Sequence, residues 1–366
     1  MTRASVNEML SYAVNTVNSY LKLYFKQLRL EVEQEHHYAT DLLDIVEDYT
    51  LRGGKRLRAA LALIGYWSRA WKSGSEQEIA KVMAAIELLQ SYLLTHDDIM
   101  DKDELRRGGP TVHVWFRNKC VERSWSDCEH YGISQAITAG DYLEALAISL
   151  LASVNISREN LSELIKTYSR GLRKVAYGQF LDVLFSKAPL RSVKEKDVLV
   201  VYNLKTASYT VELPLLMGAI TSEAYTKEML DTFSKYAANA GIAFQIRDDI
   251  IGLYGDPQVT GKPAGSDVKG KKKTLLVVKA YELAAEKDRR FLELVYDKLR
   301  EDEITMEHVE EVRRLVRETG SLDYSLEVIK RHVEEALAIL ENTSSICDEA
   351  REALKELTLK LAYREK

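Results

Sequence analysis

Apolar side chains recur at three- and four-residue intervals along almost the whole chain. Toward the C-terminus Val309, Val312 and Val316 are followed by Leu326, Ile329, Val333, Leu337 and Leu340, with charges between them. This is the stripe of an amphipathic helix. Gly320 separates the two segments and suits a helix-ending position that needs positive φ. Ser5/Glu8, Ser75/Glu78 and Ser192/Glu195 each place Ser three residues before Glu, ahead of apolar-periodic sequence. That spacing predicts capping boxes at three helix starts. No alternating run persists long enough to predict a sheet. Val198 to Leu204 comes nearest, and its setting before Lys205 favours helix. Pro110, Pro189, Pro257 and Pro263 fall in connections. The expectation is an all-α chain forming a single large helical bundle, residues 1–366. No repeat, low-complexity tract or Pro/Gly/Ser-rich linker divides it. Residues 117–134 stand apart as polar sequence without a clear stripe, and read as an inserted loop or short helix.

Composition sharpens this picture. With 366 residues, 46% of them hydrophobic, the chain is long enough to bury a large core. Its 51 Lys+Arg against 56 Asp+Glu give a net charge of −5, which argues against non-specific nucleic-acid binding. No apolar run is long enough for a spanning helix. Met1 to Ser5 lead into a polar, capped segment rather than the apolar core of a signal peptide. Cys120, Cys128 and Cys347 cannot form a complete disulfide framework, so a reducing cytoplasm is expected. Cys120, Cys128 and His130, with His113 nearby, leave two minor readings open: a zinc site, or a Cys120–Cys128 disulfide of the kind found in hyperthermophiles.

The candidate chemistry lies in two Asp clusters. Asp97-Asp98-Ile99-Met100-Asp101 follows the apolar run Ile86 to Leu94. Helical spacing puts Asp97 and Asp101 on one face, where two like charges call for a neutralising partner. Mg²⁺ suits such a pair, because it takes one or two carboxylates and fills its shell with phosphate oxygens and water. Gln245-Ile246-Arg247-Asp248-Asp249-Ile250-Ile251-Gly252 ends a second apolar run, Ala237 to Phe244. Adjacent Asp248 and Asp249 diverge by about 100°, and Gly252 stands where a third Asp would complete a copy of the first motif. Cationic motifs accompany them: Gly53-Gly54-Lys55-Arg56-Leu57-Arg58, Arg106-Arg107-Gly108-Gly109, Lys205-Thr206, Lys262 and Lys271 to Lys273. Arg and Lys in these numbers are what a diphosphate site uses.

The succession GGKRLR (53–58), DDIMD (97–101), RRGGPTVH (106–113), GD (140–141), GQFLD (178–182), KTA (205–207), FQIRDD (244–249), GK (261–262) and SD-then-GK (266–272) resembles the trans-isoprenyl diphosphate synthases. Archaeal-type short-chain geranylgeranyl/farnesyl diphosphate synthases are the nearest likeness. The resemblance spans roughly residues 20–360. It implies the isoprenoid synthase fold with a central active-site cavity, and condensation of isopentenyl diphosphate with dimethylallyl, geranyl or farnesyl diphosphate. It implies that Lys55, Arg58, Arg107 and Gln90 hold isopentenyl diphosphate. A cluster of three Mg²⁺ ions would carry the allylic diphosphate on Asp97, Asp101 and Asp248, with Asp249 supporting. Arg106, Lys205, Gln245 and Lys262 would donate to that diphosphate, with Lys272 more peripheral. Thr206 would sit at a helix break facing the developing cation, and Pro214 fits a distorted helix there. A homodimer is implied as well.

Product length should depend on what lies below the first Asp cluster. Tyr92, five residues before Asp97, is about 7 to 8 Å deeper along a helix, and Leu93 follows it. The expectation is Tyr92 as pocket floor and a twenty-carbon product, with farnesyl and geranylfarnesyl diphosphate as alternatives. A class I terpene cyclase would not need GGKRLR or Gln90, and a non-catalytic subunit typically loses one or both Asp clusters. The C-terminal Tyr363 to Lys366 is basic only in part and is not assigned the tail-closing role seen in some members of that family.

Overall fold

The C-terminal periodicity is realised except at Leu326, which is exposed instead of lying on the buried face. Val309, Val312, Leu315 and Val316 are buried on one helix and Val328, Ile329 and Val333 on the next, with Gly320 between them at φ +79°. The computed structural model describes residues 6–255 and 265–364. Ser5, Asp256, Pro257, Pro263 and Lys262 lie outside the described residues.

The described chain is helical apart from one small hairpin. In order it forms α1 (Val6–Glu35), α2 (Ala39–Leu51), α3 (Leu57–Trp67) and α4 (Glu76–Asp101). The antiparallel pair β1 (Leu105–Arg106) and β2 (Gly109–Pro110) follows, then α5 (Val112–Glu122), α6 (Cys128–Ala152), α7 (Arg158–Lys187) and α8 (Glu195–Val201). A π-helical stretch, Tyr202–Glu212, leads into α9 (Leu213–Thr221) and α10 (Lys227–Tyr254). The remainder is α11 (Ser266–Lys269), α12 (Leu275–Leu283), α13 (Glu286–Glu293), α14 (Met306–Glu318), α15 (Ser321–Glu341) and α16 (Asp348–Ala362).

These elements group into two compact units. The first is Met1–Thr167 with Pro214–Tyr225. In it α1 buries Met9, Ala13, Val17, Leu21 and Phe25 at helical spacing, and α4 is buried along Ile79 to Ser91. Helix α4 packs on α3 and α6, and α5 on α6. Helices α3 and α9 meet backbone to backbone. A Cβ on Gly218 would lie 1.9 Å from the Ala62 carbonyl oxygen, and one on Gly65 2.2 Å from that of Leu215.

The second unit is Tyr168–Leu213 with Thr226–Lys366. Its core joins Ile242, Ile246 and Ile250 of α10 to Leu275 and Val278 of α12 and to the buried faces of α14 and α15. The π-helical stretch lies against α10. It ends with the Leu213 N–H bonding the Ser208 carbonyl, five residues back, next to Pro214, which has no N–H to continue an α-helical ladder.

Two local expectations need correction. Ser75 does cap α4, accepting from the Glu78 N–H. Its own N–H instead goes to the Tyr66 hydroxyl at 2.6 Å, while the Glu78 carboxylate takes Lys81 and the Asn155 N–H, so only half the box forms. Ser192 is not a cap. It closes a 3₁₀ turn, Leu190–Ser192, and α8 starts three residues later, at Glu195, with Asp197 accepting from the Lys194 N–H at 3.0 Å.

Residues 117–134 divide between the end of α5, a short connection and the start of α6. Cys120 and Cys128 form a disulfide across that connection. Their sulfurs are therefore spent, which overturns the zinc reading. Arg123 ties the connection to α2: it pairs with Asp41 at 2.6 Å and stacks on Tyr38 and Trp125. No helix among the described residues is long and apolar enough to cross a membrane.

Candidate active site

In the first unit, the last turn of α4 carries Asp97 and Asp101 half-exposed and Asp98 fully buried. Asp98, one residue off the Asp97/Asp101 face, turns inward. Its carboxylate accepts from the Tyr49 hydroxyl at 2.5 Å and from Arg106 Nε at 2.8 Å. Burial raises the Asp98 carboxyl and Arg106 opposes the shift. Burial would lower the Arg106 guanidinium, but Asp98 outweighs it and holds it above its ordinary value. The β1–β2 hairpin places Arg106 here, and Asp103 also accepts from it at 3.0 Å. Sequence reasoning passed over Tyr49, Asp98 and Asp103 as the framework behind the motif.

The GGKRLR segment links α2 to α3. Gly53 and Gly54 take φ of +50° and +102°, conformations that favour glycine. A Cβ on Gly54 would lie 3.2 Å from the Arg107 guanidinium carbon, so this backbone forms the bed on which Arg107 rests. Arg107 also donates to the Arg52 carbonyl at 3.3 Å. Lys55 is exposed, Arg58 half-buried and Arg56 buried. Burial lowers the Arg107 guanidinium, with Arg56 and Arg58 pushing the same way and Glu87 opposing. Partly desolvated cations crowded together favour an anionic ligand. Gln90 is buried on α4, one turn beyond Glu87.

Tyr92 is half-buried on the same helix. Its ring meets His96 edge-on at 4.9 Å, and burial together with Glu144 and Asp141 raises its hydroxyl. His96 is seated over Gly140, where a Cβ would fall 2.2 Å from its Nε2. That contact accounts for glycine in the GD pair. Leu93 is half-buried beside Tyr92.

In the second unit the π-helical stretch is gripped from two sides. A Cβ on Gly178 of α7 would lie 2.4 Å from the Lys205 nitrogen, and one on Gly241 of α10 2.3 Å from the Ala207 side chain. A hydrogen-bond chain follows. The Thr206 hydroxyl donates to Gln245 Oε1 at 2.6 Å, and Gln245 Nε2 donates to Asp249 Oδ1 at 2.8 Å. The Tyr202 hydroxyl donates to the other Asp249 oxygen and accepts from the Leu275 N–H. Asp249 is buried, and burial pushes its carboxyl up to about 7 against the pull of Tyr202, Gln245 and Lys272, with Asp267 adding to the rise.

Lys205 pairs with Asp182 at 2.5 Å, which gives the last residue of GQFLD a partner that sequence spacing did not identify. Lys205, Thr206, Gln245, Asp249 and Lys272 line a cavity of about 90 Å³. Lys273 lines it too, its ammonium lowered by burial to about 8. A Cβ on Gly252 would lie 2.3 Å from Asp267 Oδ2, so another carboxylate occupies the space beside the missing third Asp. Asp248 is half-exposed and meets the Arg364 guanidinium, which also lies over the Phe244 ring at 4.8 Å. Arg247 Nε donates to the Arg364 carbonyl at 2.6 Å. The C-terminal segment thus reaches the second Asp cluster through Arg364.

No group of three or more His, Cys, Asp or Glu is gathered closely enough among the described residues to cage a metal. Half-exposed carboxylates such as Asp97, Asp101 and Asp248 fit Mg²⁺, a hard cation that leaves part of its shell to phosphate and water. Asp249, held by two donors, is better placed to steady Gln245 than to ligate.

An all-helical chain with Asp clusters closing long helices and desolvated arginines beside them defines the class of helical enzymes acting on diphosphates. A family model described as polyprenyl synthetase matches residues 40–315, and the chain belongs to that family. It is a transferase, a trans-prenyltransferase. It is 34% identical over 334 residues to the geranylfarnesyl diphosphate synthase of Aeropyrum pernix, covering 88% of this chain and 96% of the relative. It is 32% identical over 348 residues to the geranylgeranyl diphosphate synthase of Sulfolobus acidocaldarius, covering 94% of each. A geranylgeranyl pyrophosphate synthase from Corynebacterium glutamicum, solved with isoprenyl diphosphate and magnesium, superposes with a TM-score of 0.89 at 28% identity, over 99% of this chain and 100% of that one.

Proposed function

We propose that this chain, acting as one catalytic domain, condenses isopentenyl diphosphate head-to-tail with allylic diphosphates to give an all-trans product, chiefly geranylgeranyl diphosphate. The observation that carries the reading is the pairing of two chemistries: cations on the GGKRLR loop and hairpin, and half-exposed carboxylates at the ends of α4 and α10. Isopentenyl diphosphate is met directly by Lys55, Arg58 and Arg107, together with Gln90. Asp97, Asp101 and Asp248 would hold Mg²⁺ for the allylic diphosphate, and Arg106, Lys205 and Lys262 would donate to its oxygens. Three ions per site agree with the resemblance, and bound metal supplies Lewis-acid stabilisation of the departing diphosphate.

Breaking the allylic C–O bond leaves an allylic cation and a diphosphate whose negative charge Arg106 and Lys205 stabilise. Thr206, held toward Gln245, positions its main chain and hydroxyl beside that cation. The alkene of isopentenyl diphosphate attacks, a C–C bond forms, and loss of a proton leaves the new trans double bond. No His or Glu stands among these residues as a base, and the departed diphosphate takes the proton. Tyr92 closes the tail's path. The geranylfarnesyl synthase among the relatives keeps a twenty-five-carbon product as the second reading.

The test is substitution. Asp97→Ala and Asp248→Ala should each lower turnover at least a hundredfold, and Tyr92→Ala should lengthen the product. Near wild-type rates in either Asp variant refute the metal assignment, and an unchanged product profile removes Tyr92 from its role.

A further inference from the structure

Of the three cations in Lys55-Arg56-Leu57-Arg58, the middle one is the buried one. Arg56 is 3% exposed, while Lys55 before it lies in solvent. Each donor nitrogen of its guanidinium reaches a different element. Nη1 meets Glu87 Oε2 of α4 at 2.8 Å, Nη2 donates to the Thr50 carbonyl of α2 at 2.7 Å, and Nε donates to Asn18 Oδ1 of α1 at 3.1 Å. The ion pair is sealed, with side-chain exposures of 1% and 3%. Its backbone has φ +46° and ψ +39°, a left-handed conformation that L-residues adopt only when the surroundings hold them there.

That conformation matters because it sets the direction of the loop. Gly53, Gly54 and Arg56 all have positive φ, and the chain must leave them with Lys55 outward and Arg58 entering α3. The Arg56 fork clamps this turn to three helices at once, and a planar guanidinium fixes an angle as a lysine cannot. Glu87 also lies one turn before Gln90 and within electrostatic reach of Arg107. One buried pair therefore joins the loop that carries Lys55 to the helix that carries the buried amide of Gln90.

We propose that Arg56 is a positioning residue: through its buried fork to Glu87, Thr50 and Asn18 it sets the directions of Lys55 and Arg58 for the homoallylic diphosphate, without touching that substrate. This rests on the functional reading above. Arg56→Lys keeps a charge opposite Glu87 but loses the fork. The expected result is a near wild-type melting transition, a KM for isopentenyl diphosphate raised at least fivefold, and a KM for the allylic substrate and a kcat within twofold. Arg56→Met with Glu87→Leu removes both charges together, a replacement that buried pairs often tolerate, and should show the same split if the single variant fails to fold. An unchanged KM for isopentenyl diphosphate in a folded variant overturns the proposal. Equal rises in both KM values also overturn it, because they mark a general structural role. Calorimetric titration with isopentenyl diphosphate separates the two readings. If the wild-type protein binds it but never condenses it, the functional reading fails, while a fivefold weaker binding by Arg56→Lys still supports the positioning role.

Discussion

Asp98 and Asp97 are neighbours in one motif yet face opposite problems. Asp98 has no solvent exposure and answers to Tyr49 and Arg106; Asp97 is half-exposed at the end of α4. Removing one member of a buried ion pair strands the other, at a cost of about 3 to 5 kcal/mol. A half-exposed surface carboxylate is worth about 0.5 kcal/mol or less. Asp98→Ala should therefore lower the unfolding free energy in guanidinium by about 3 kcal/mol or more, and Asp97→Ala should abolish turnover with little loss of stability. Equal stability losses would show that the two carboxylates do not divide the work this way. The i, i+4 spacing made Asp97 and Asp101 legible in the sequence. The inward turns of Asp98 and Arg56 were not, because side-chain direction at a helix end or a glycine turn depends on backbone angles that no spacing rule supplies. The Lys205–Asp182 pair was hidden for another reason: its partners come from different helices.

At the scale of elements, helix positions followed from apolar period and caps, while the start of a helix shifted where a competing acceptor was nearer. Asp197 displaced Ser192 at the start of α8 in this way. Close helix approach was not legible in the apolar period. Helices α3 and α9 touch through Gly65 and Gly218, and a Cβ at 218 would sit 1.9 Å from a backbone oxygen that cannot rotate away. Gly218→Ala should cost about 3 kcal/mol by forced separation of the two helices, measured by chemical unfolding. A loss below about 0.5 kcal/mol would mean that the helices yield easily. The disulfide closes a short loop between α5 and α6, for which chain entropy gives about 2.5 kcal/mol. Reduction should lower the unfolding free energy by about that amount, and the oxidised native protein should titrate one thiol, Cys347. Three titratable thiols would contradict the pairing.

For the whole molecule, the all-α prediction held because the period of 3.6 persists almost everywhere, and the family emerged from the order of several motifs rather than from any one. What stays apolar on the surface bears on assembly. On α6, Ile133, Ile137 and Ile148 are 37%, 47% and 37% exposed, and on α7 so are Tyr177, Phe180 and Leu184, at 59%, 67% and 49%. Stripes of this kind mark surfaces that bind another protein, and they support the expected homodimer. Light scattering should give twice the 41.7 kDa chain mass, and Ile137→Glu with Phe180→Glu should halve it; a wild-type monomer at micromolar concentration would contradict the expectation.

In the proposed reading, the net charge of −5 conceals two recognition chemistries, carboxylates for metal-borne diphosphate and Lys and Arg side chains for bare diphosphate. The most direct test of that division is to incubate the purified protein with Mg²⁺, labelled isopentenyl diphosphate and, in turn, the five-, ten- and fifteen-carbon allylic diphosphates, and to resolve the products by chain length. The predicted result is condensation in each case, converging on a twenty-carbon product and abolished by chelation. Absence of condensation with every primer, or consumption of the allylic substrate without isopentenyl diphosphate, would contradict it.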